Sequence, residues 1–142
     1  RPIVRLSRET NSGTHVYFLE EVIRLGRKDD KSIFSADTLL LPSSEGIIAE
    51  VSSNPNAIGY DGLGYVTKEV KMVALAKTPN DAYILPSAES VLNGQYPISR
   101  NLFMYTRGQP KGSLADYINW IRSEEGQRIA VELGFVPITP PK

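Results

Sequence analysis

Within its first two dozen residues the chain passes from a strand-like run, Pro2-Ile3-Val4-Arg5-Leu6, through a short polar loop into a helical one. From Thr14 to Leu25, Val16, Phe18, Leu19, Val22, Ile23 and Leu25 mostly fit one buried helical face, and Gly26 is a natural stop. A strand feeding a helix so directly constrains the fold more than any other feature. The alternation continues along the chain. Ser43 or Ser44 caps a second helix bearing Ile47, Ile48 and Val51. Asn54-Pro55-Asn56 then ends it and opens the short apolar run Ala57-Ile58-Gly59-Tyr60. Further strands are expected at Val70–Ala76 and Leu102–Tyr105, and one or two helical turns at Pro86–Leu92. Helical blocks follow from Ser113, with Leu114, Tyr117, Ile118 and Ile121 on one stripe, and from Ser123 to Gly134. The Pro-rich tail, Val136 to Pro141, is extended. Alternating strands and helices imply an α/β chain.

The 142 residues suffice for one ordinary domain, and 41% hydrophobic with 23% charged residues marks a globular rather than a disordered chain. Sixteen basic residues balance sixteen acidic ones, so no global field draws the chain to nucleic acid, and any anion site must be local. Cysteine is absent, which excludes disulfides and thiol chemistry and leaves the compartment open. No apolar stretch approaches the roughly 18 residues of a transmembrane helix. No signal peptide is visible.

The loop Arg8-Glu9-Thr10-Asn11-Ser12-Gly13-Thr14 carries the chemistry. A helix beginning near Gly13 presents unpaired N–H groups and partial positive charge, and Gly13 has no side chain to block a ligand. Ser12 and Thr14 add hydroxyls, and Arg8 adds a planar fork for two oxygens of a tetrahedral anion. Phosphate or sulfate fits this set without a metal. The same Ser-Gly-Thr is also an ordinary N-cap, and both readings stand at this point.

Arg8 followed after three residues by Ser12-Gly13-Thr14 and an aromatic helix resembles the signature of the periplasmic phosphate-binding proteins of phosphate ABC transporters. Asn54-Pro55-Asn56-Ala57-Ile58-Gly59-Tyr60, Tyr96-Pro97-Ile98-Ser99-Arg100, and Glu125-Gly126-Gln127 through Gly134-Phe135-Val136-Pro137 resemble further segments of that family, in the same order. The resemblance implies an α/β fold: one lobe of a type II periplasmic-binding-protein-like two-lobed clamp, a mixed sheet flanked by helices. It implies a second, ligand-binding lobe over residues 1–95 and a return segment towards the first lobe over 96–142, the N-terminal part of the first lobe being absent. It implies inorganic phosphate held in the inter-lobe cleft by Arg8, Ser12, Gly13 and Thr14, with Tyr60 and Ser44 as second-rank candidates. Delivery to the membrane permease of an ABC transporter, an extracytoplasmic location (periplasm, or lipid-anchored outside the cytoplasmic membrane), and no cofactor, metal, catalysis or nucleic-acid partner also follow from it. The partner expected is the missing first-lobe segment or a second chain. Two departures stand out. Asn11 replaces the glycine many members have before the serine, and asparagine tolerates a left-handed backbone. Thr10 stands where some members place an acid that orients the arginine, leaving Glu9 or nothing for that task.

Two other classes compete. One is a partner-requiring interaction fragment with weak anion binding. The other is an esterase-like hydrolase using Ser12 and His15, which lie three apart on one helical face. His15 otherwise reads as a half-exposed helix residue, and by itself it makes no metal site. Gly59-Tyr60-Asp61-Gly62-Leu63-Gly64-Tyr65 lacks the Lys-Ser or Lys-Thr of a phosphate-binding P-loop and reads as a strand end with a hairpin-like turn. Tyr117 and Trp120 are expected in core or lobe-interface packing, and without a partner lobe they would form an exposed apolar patch.

Overall fold

The N-terminal apolar run becomes β1, Val4–Arg8, the middle strand of a three-stranded sheet of order β2-β1-β3 in a computed structural model that describes residues 1–138. The outer strands are β2, Leu39–Leu41, and β3, Ala57–Ile58. Both run parallel to β1, with Leu6 opposite Leu39, Arg8 opposite Leu41, and Val4 opposite Ala57. Parallel neighbours need crossover connections, and the helices α1, Gly13–Phe18, and α2, Ser44–Ser53, lie within them. The described residues fall into two compact units that divide after Met72.

Being central, β1 buries both of its faces. Leu6 is 2% exposed and Ser7 0%. Successive side chains alternate, so Leu6 and Arg8 point to the α2 face and Ser7 to the α1 face. On the α2 side Ile47 is 1% exposed. Gly59, just past β3, lets the chain pass close to it: an added Cβ would lie 2.9 Å from Ile47 Cγ2 and 3.4 Å from Leu6 Cβ.

Several expectations shift. The first strand lies at Val4–Arg8 rather than at Pro2–Leu6, which makes Arg8 its last residue. The expected helix to Leu25 is α-helical only to Phe18 and then widens into a π turn, Leu19–Ile23, closed by Arg24 N donating to Leu19 O at 3.0 Å. A π turn rotates the residues that follow it, so Leu25 leaves the apolar stripe, 66% exposed and with φ at 53°. Ser43, not Ser44, caps α2, its Oγ accepting from Gly46 N at 3.0 Å. The expected hairpin-like turn after β3 is a 3₁₀ turn, Leu63–Tyr65.

In the second unit, α3 (Ala88–Leu92), α4 (Ser113–Ile121) and α5 (Glu124–Glu132) match the expected helical blocks. The expected strand at Val70–Ala76 reduces to one antiparallel bridge, Leu75 with Ile84. Leu102–Tyr105 pairs with no strand among the described residues, and Tyr105 is 90% exposed. An apolar run is not enough for a strand, because its backbone groups need a neighbouring ladder. Tyr117 and Trp120 are exposed, their rings stacked at 6.2 Å. Of the tail, Thr139 to Pro141 lies outside the described residues. No helix among the described residues is long and apolar enough to cross a membrane.

Gly126 sits where α5 begins against the end of α4. A Cβ there would lie 2.5 Å from the Trp120 carbonyl oxygen and 2.6 Å from that of Ile121. Backbone cannot yield as a side-chain tip can, so Gly126→Ala is expected to cost about 1–3 kcal/mol, read as a lower urea midpoint. An unchanged midpoint would show that the helix junction has slack.

Candidate functional site

Arg8 ends β1 on the α2 face, and the loops after β2 and β3 close around its guanidinium. One terminal nitrogen donates to Ser44 Oγ at 2.6 Å, and the other to the Pro42 carbonyl at 3.0 Å. Ser44, the first residue of α2, passes the interaction on: its hydroxyl donates to Asp61 Oδ1 at 3.0 Å. Gly62 N donates to the same oxygen at 2.7 Å. Asp61 Oδ2 lies 3.7 Å from Arg8, with the two side chains 3% and 19% exposed. Arg8 Nε and Asp61 Oδ2 are buried without a hydrogen-bond partner among the described residues.

The acid that orients Arg8 is therefore Asp61. Glu9 does not serve: its side chain is exposed, and its backbone N–H donates to Leu41 O at 3.1 Å. Sequence reasoning missed Asp61 because β3 is adjacent to β1 in space and remote from it in the chain. The available signal was an acid just past the apolar run Ala57–Ile58, where parallel strands deliver ligand-site residues.

The Glu9–Ser12 turn, closed by Ser12 N to Glu9 O at 2.9 Å, leads to the helix start. Ser12 has N-cap geometry, its Oγ accepting from Thr14 N at 3.2 Å. Gly13 and Thr14 form the first turn, exposed and half-buried respectively. Asn11 needs no left-handed backbone, since Leu25 is the non-glycine residue with positive φ among those described.

On the opposite face of β1 lies a buried polar cluster. His15 is 7% exposed, not half-exposed. Its Nδ1 is 2.9 Å from the Arg8 carbonyl oxygen and 3.0 Å from Ser7 Oγ, while Ser7 Oγ is 2.6 Å from the Tyr60 hydroxyl. Phe34 covers the imidazole at 4.7 Å between ring centroids, and Tyr60 stacks on Phe18 at 3.7 Å. The Tyr60 hydroxyl is thus engaged with Ser7, while the Ser44 hydroxyl accepts from Arg8 and donates to Asp61. His15 is engaged with Ser7 and Arg8 rather than paired with Ser12, so the arrangement a hydrolase needs is not formed by that pair. No group of three potential metal-ligating side chains occurs among the described residues.

The family model described as a PBP superfamily domain matches residues 1–125. The chain belongs to the PBP superfamily. Among its relatives in the superfamily, the phosphate-binding protein PstS of Pseudomonas aeruginosa is 34% identical over 142 residues, covering 97% of this chain and 42% of the relative. Phosphate-binding protein PstS 2 of Streptococcus pneumoniae is 33% identical, covering 92% of this chain and 44% of its own length. A solved phosphate-binding protein of a phosphate ABC transporter from Streptococcus pneumoniae superposes with a TM-score of 0.73 at 28% identity, covering all (100%) of this chain and 54% of that one. PstS of Borrelia burgdorferi gives 0.64 at 25% identity, covering 97% of this chain and 54% of that one. This member of the PBP superfamily spans about half the length of the relatives it matches.

Two outcomes test the site's construction. Asp61→Asn removes the charge facing Arg8, and stability is expected to fall by about 2 kcal/mol in chemical denaturation. No loss would mean that Ser44 and Pro42 alone hold the guanidinium. Burial pushes the Tyr60 phenol above its usual 10. Its contribution is complete below about pH 10, the unfolded value, and is lost as pH rises through the raised one. Tyr60→Phe should flatten that alkaline decline relative to the parent.

Proposed function

We propose that this chain binds inorganic phosphate at Arg8, Ser12, Gly13 and Thr14, as one lobe of a transport clamp. The observation that carries the reading is the likeness, over 97% of the chain, to a phosphate-binding protein. The geometry supports it. Arg8 is pre-oriented by Ser44, Pro42 and Asp61, so little side-chain freedom remains to be lost on binding. Beside it in the chain, a serine-capped helix start offers hydroxyls and amide donors.

In this reading residues 1–95 are the second lobe and 96–142 return to the first, and the anion sits in the cleft between lobes. The closed clamp then delivers phosphate to an ABC-transporter permease, outside the cytoplasmic membrane. The chain catalyses nothing and needs no cofactor. Completion by a missing first-lobe segment or a second chain accords with the exposure of Leu102, Phe103, Met104 and Tyr105, a run apolar on both faces.

Isothermal titration with phosphate and with sulfate tests the reading. Arg8→Ala is expected to weaken phosphate binding by about 2 kcal/mol or more, the scale of a hydrogen-bonded charge. Unchanged affinity would remove Arg8 from the site. No heat with either anion, alone or with the remaining half of the clamp supplied, would sink the transport function itself.

A further inference from the structure

The Arg8 carbonyl oxygen receives two side chains at once, Ser7 Oγ at 3.0 Å and His15 Nδ1 at 2.9 Å. A carbonyl only accepts, so both must direct a hydrogen towards it. The rest of the cluster then has one consistent sense. Ser7 has a single hydroxyl hydrogen and commits it to Arg8, so the 2.6 Å contact with Tyr60 runs from the phenol to Ser7 Oγ. His15 carries a proton on Nδ1, shared between the Arg8 carbonyl and Ser7 Oγ at 3.0 Å. Ser7, at 0% exposure, and Phe34 over the imidazole keep this arrangement dry.

We propose that His15 is a positioning residue for the anion site: its Nδ1–H, seated by Ser7 and Tyr60, ties the end of β1 to the first turn of α1. Arg8 and the Ser12–Thr14 helix start are thereby held at one spacing. The proposal rests on the anion reading above. Between the two ligand groups lie Glu9, Thr10 and Asn11, all exposed, held by the turn bond from Ser12 N to Glu9 O and by Glu9 N to Leu41 O on the neighbouring strand. Neither bond reaches the body of α1. His15 reaches back from one helical turn past Ser12 and closes the loop with a further, buried bond. A histidine that only filled space would do the same work as phenylalanine. A histidine that positions the site would not.

The test uses the full-length protein. His15→Phe keeps a ring against Phe34 and removes the donor, whereas His15→Asn discards the ring and returns an amide N–H near the Nδ1 position. Phosphate affinity is expected to fall about tenfold in His15→Phe, the scale on which outer partners act in metal sites, and to recover most of the way in His15→Asn. Imidazole ¹⁵N spectra of the parent, recorded without anion, are expected to show Nδ1 protonated. Parent-like binding by His15→Phe, or equal impairment of both variants, would overturn the proposal. So would a neutral imidazole protonated at Nε2 alone, a result that needs no variant to fold. If the parent binds phosphate and its imidazole shows the Nε2–H form, this role fails alone. If the parent binds none, the anion reading fails, whatever the tautomer.

Discussion

Parallel pairing of β1 on both edges is the constraint on which the rest depends. Because β2, β1 and β3 point the same way, their carboxyl ends emerge together, and three loops remote in sequence meet at one place. β1 contributes Arg8, the turn after β2 contributes Pro42 and Ser44, and the turn after β3 contributes Tyr60 and Asp61. An antiparallel neighbour would have sent one of those turns to the opposite end of the sheet. Alternation along β1 then sorts the chemistry by face. Arg8 meets its acceptors on the α2 side, and Ser7, one residue earlier, meets His15 and Tyr60 on the α1 side.

The pairing of Arg8 with Asp61 is better understood as orientation than as stabilisation. A part-buried ion pair roughly offsets its own desolvation, yet losing one member strands the other. Ser44 between them is a hydroxyl that both accepts and donates, the one arrangement that satisfies a guanidinium and a carboxylate with a single atom. The price is local neutrality: Asp61 cancels much of the field that Arg8 would otherwise project. In the reading proposed, recognition of an anion depends on directed N–H and O–H groups more than on net charge, consistent with a chain whose basic and acidic residues balance.

Local features of this fold were legible in the sequence, and relational ones were not. A cap at Ser12 and one at Ser43 or Ser44 could be read because a cap involves residues two or three apart. The Arg8-to-Thr14 segment could be read for the same reason. Leu39–Leu41 went unseen because three residues show no period, and Asp61 because its partner belongs to another strand. Val70–Ala76 and Leu102–Tyr105 erred in the other direction. Their composition favours strands, but a ladder needs a second chain segment that a local pattern does not supply. His15 was misjudged on burial because Phe34, which covers it, arrives from the far side of a charged turn.

Donor arithmetic shows why such a site is one-sided. A guanidinium has five N–H groups. On Arg8 one is directed to Ser44, one to Pro42, and the Nε–H is buried away from solvent. At most two remain for a ligand, one of them on the nitrogen 3.7 Å from Asp61 Oδ2. In the reading proposed, the hydroxyls of Ser12 and Thr14 and the first amide of α1 add about three more, fewer than the lone pairs on the four oxygens of a tetrahedral anion. An anion gripped here alone would leave its outer oxygens in water and exchange readily with it. Under the proposed reading, retention requires donors beyond these residues, the ones a second lobe closing over the anion would supply while excluding the water. The incomplete grip would then be a working property of the clamp, letting the same site release its ligand once the lobes part.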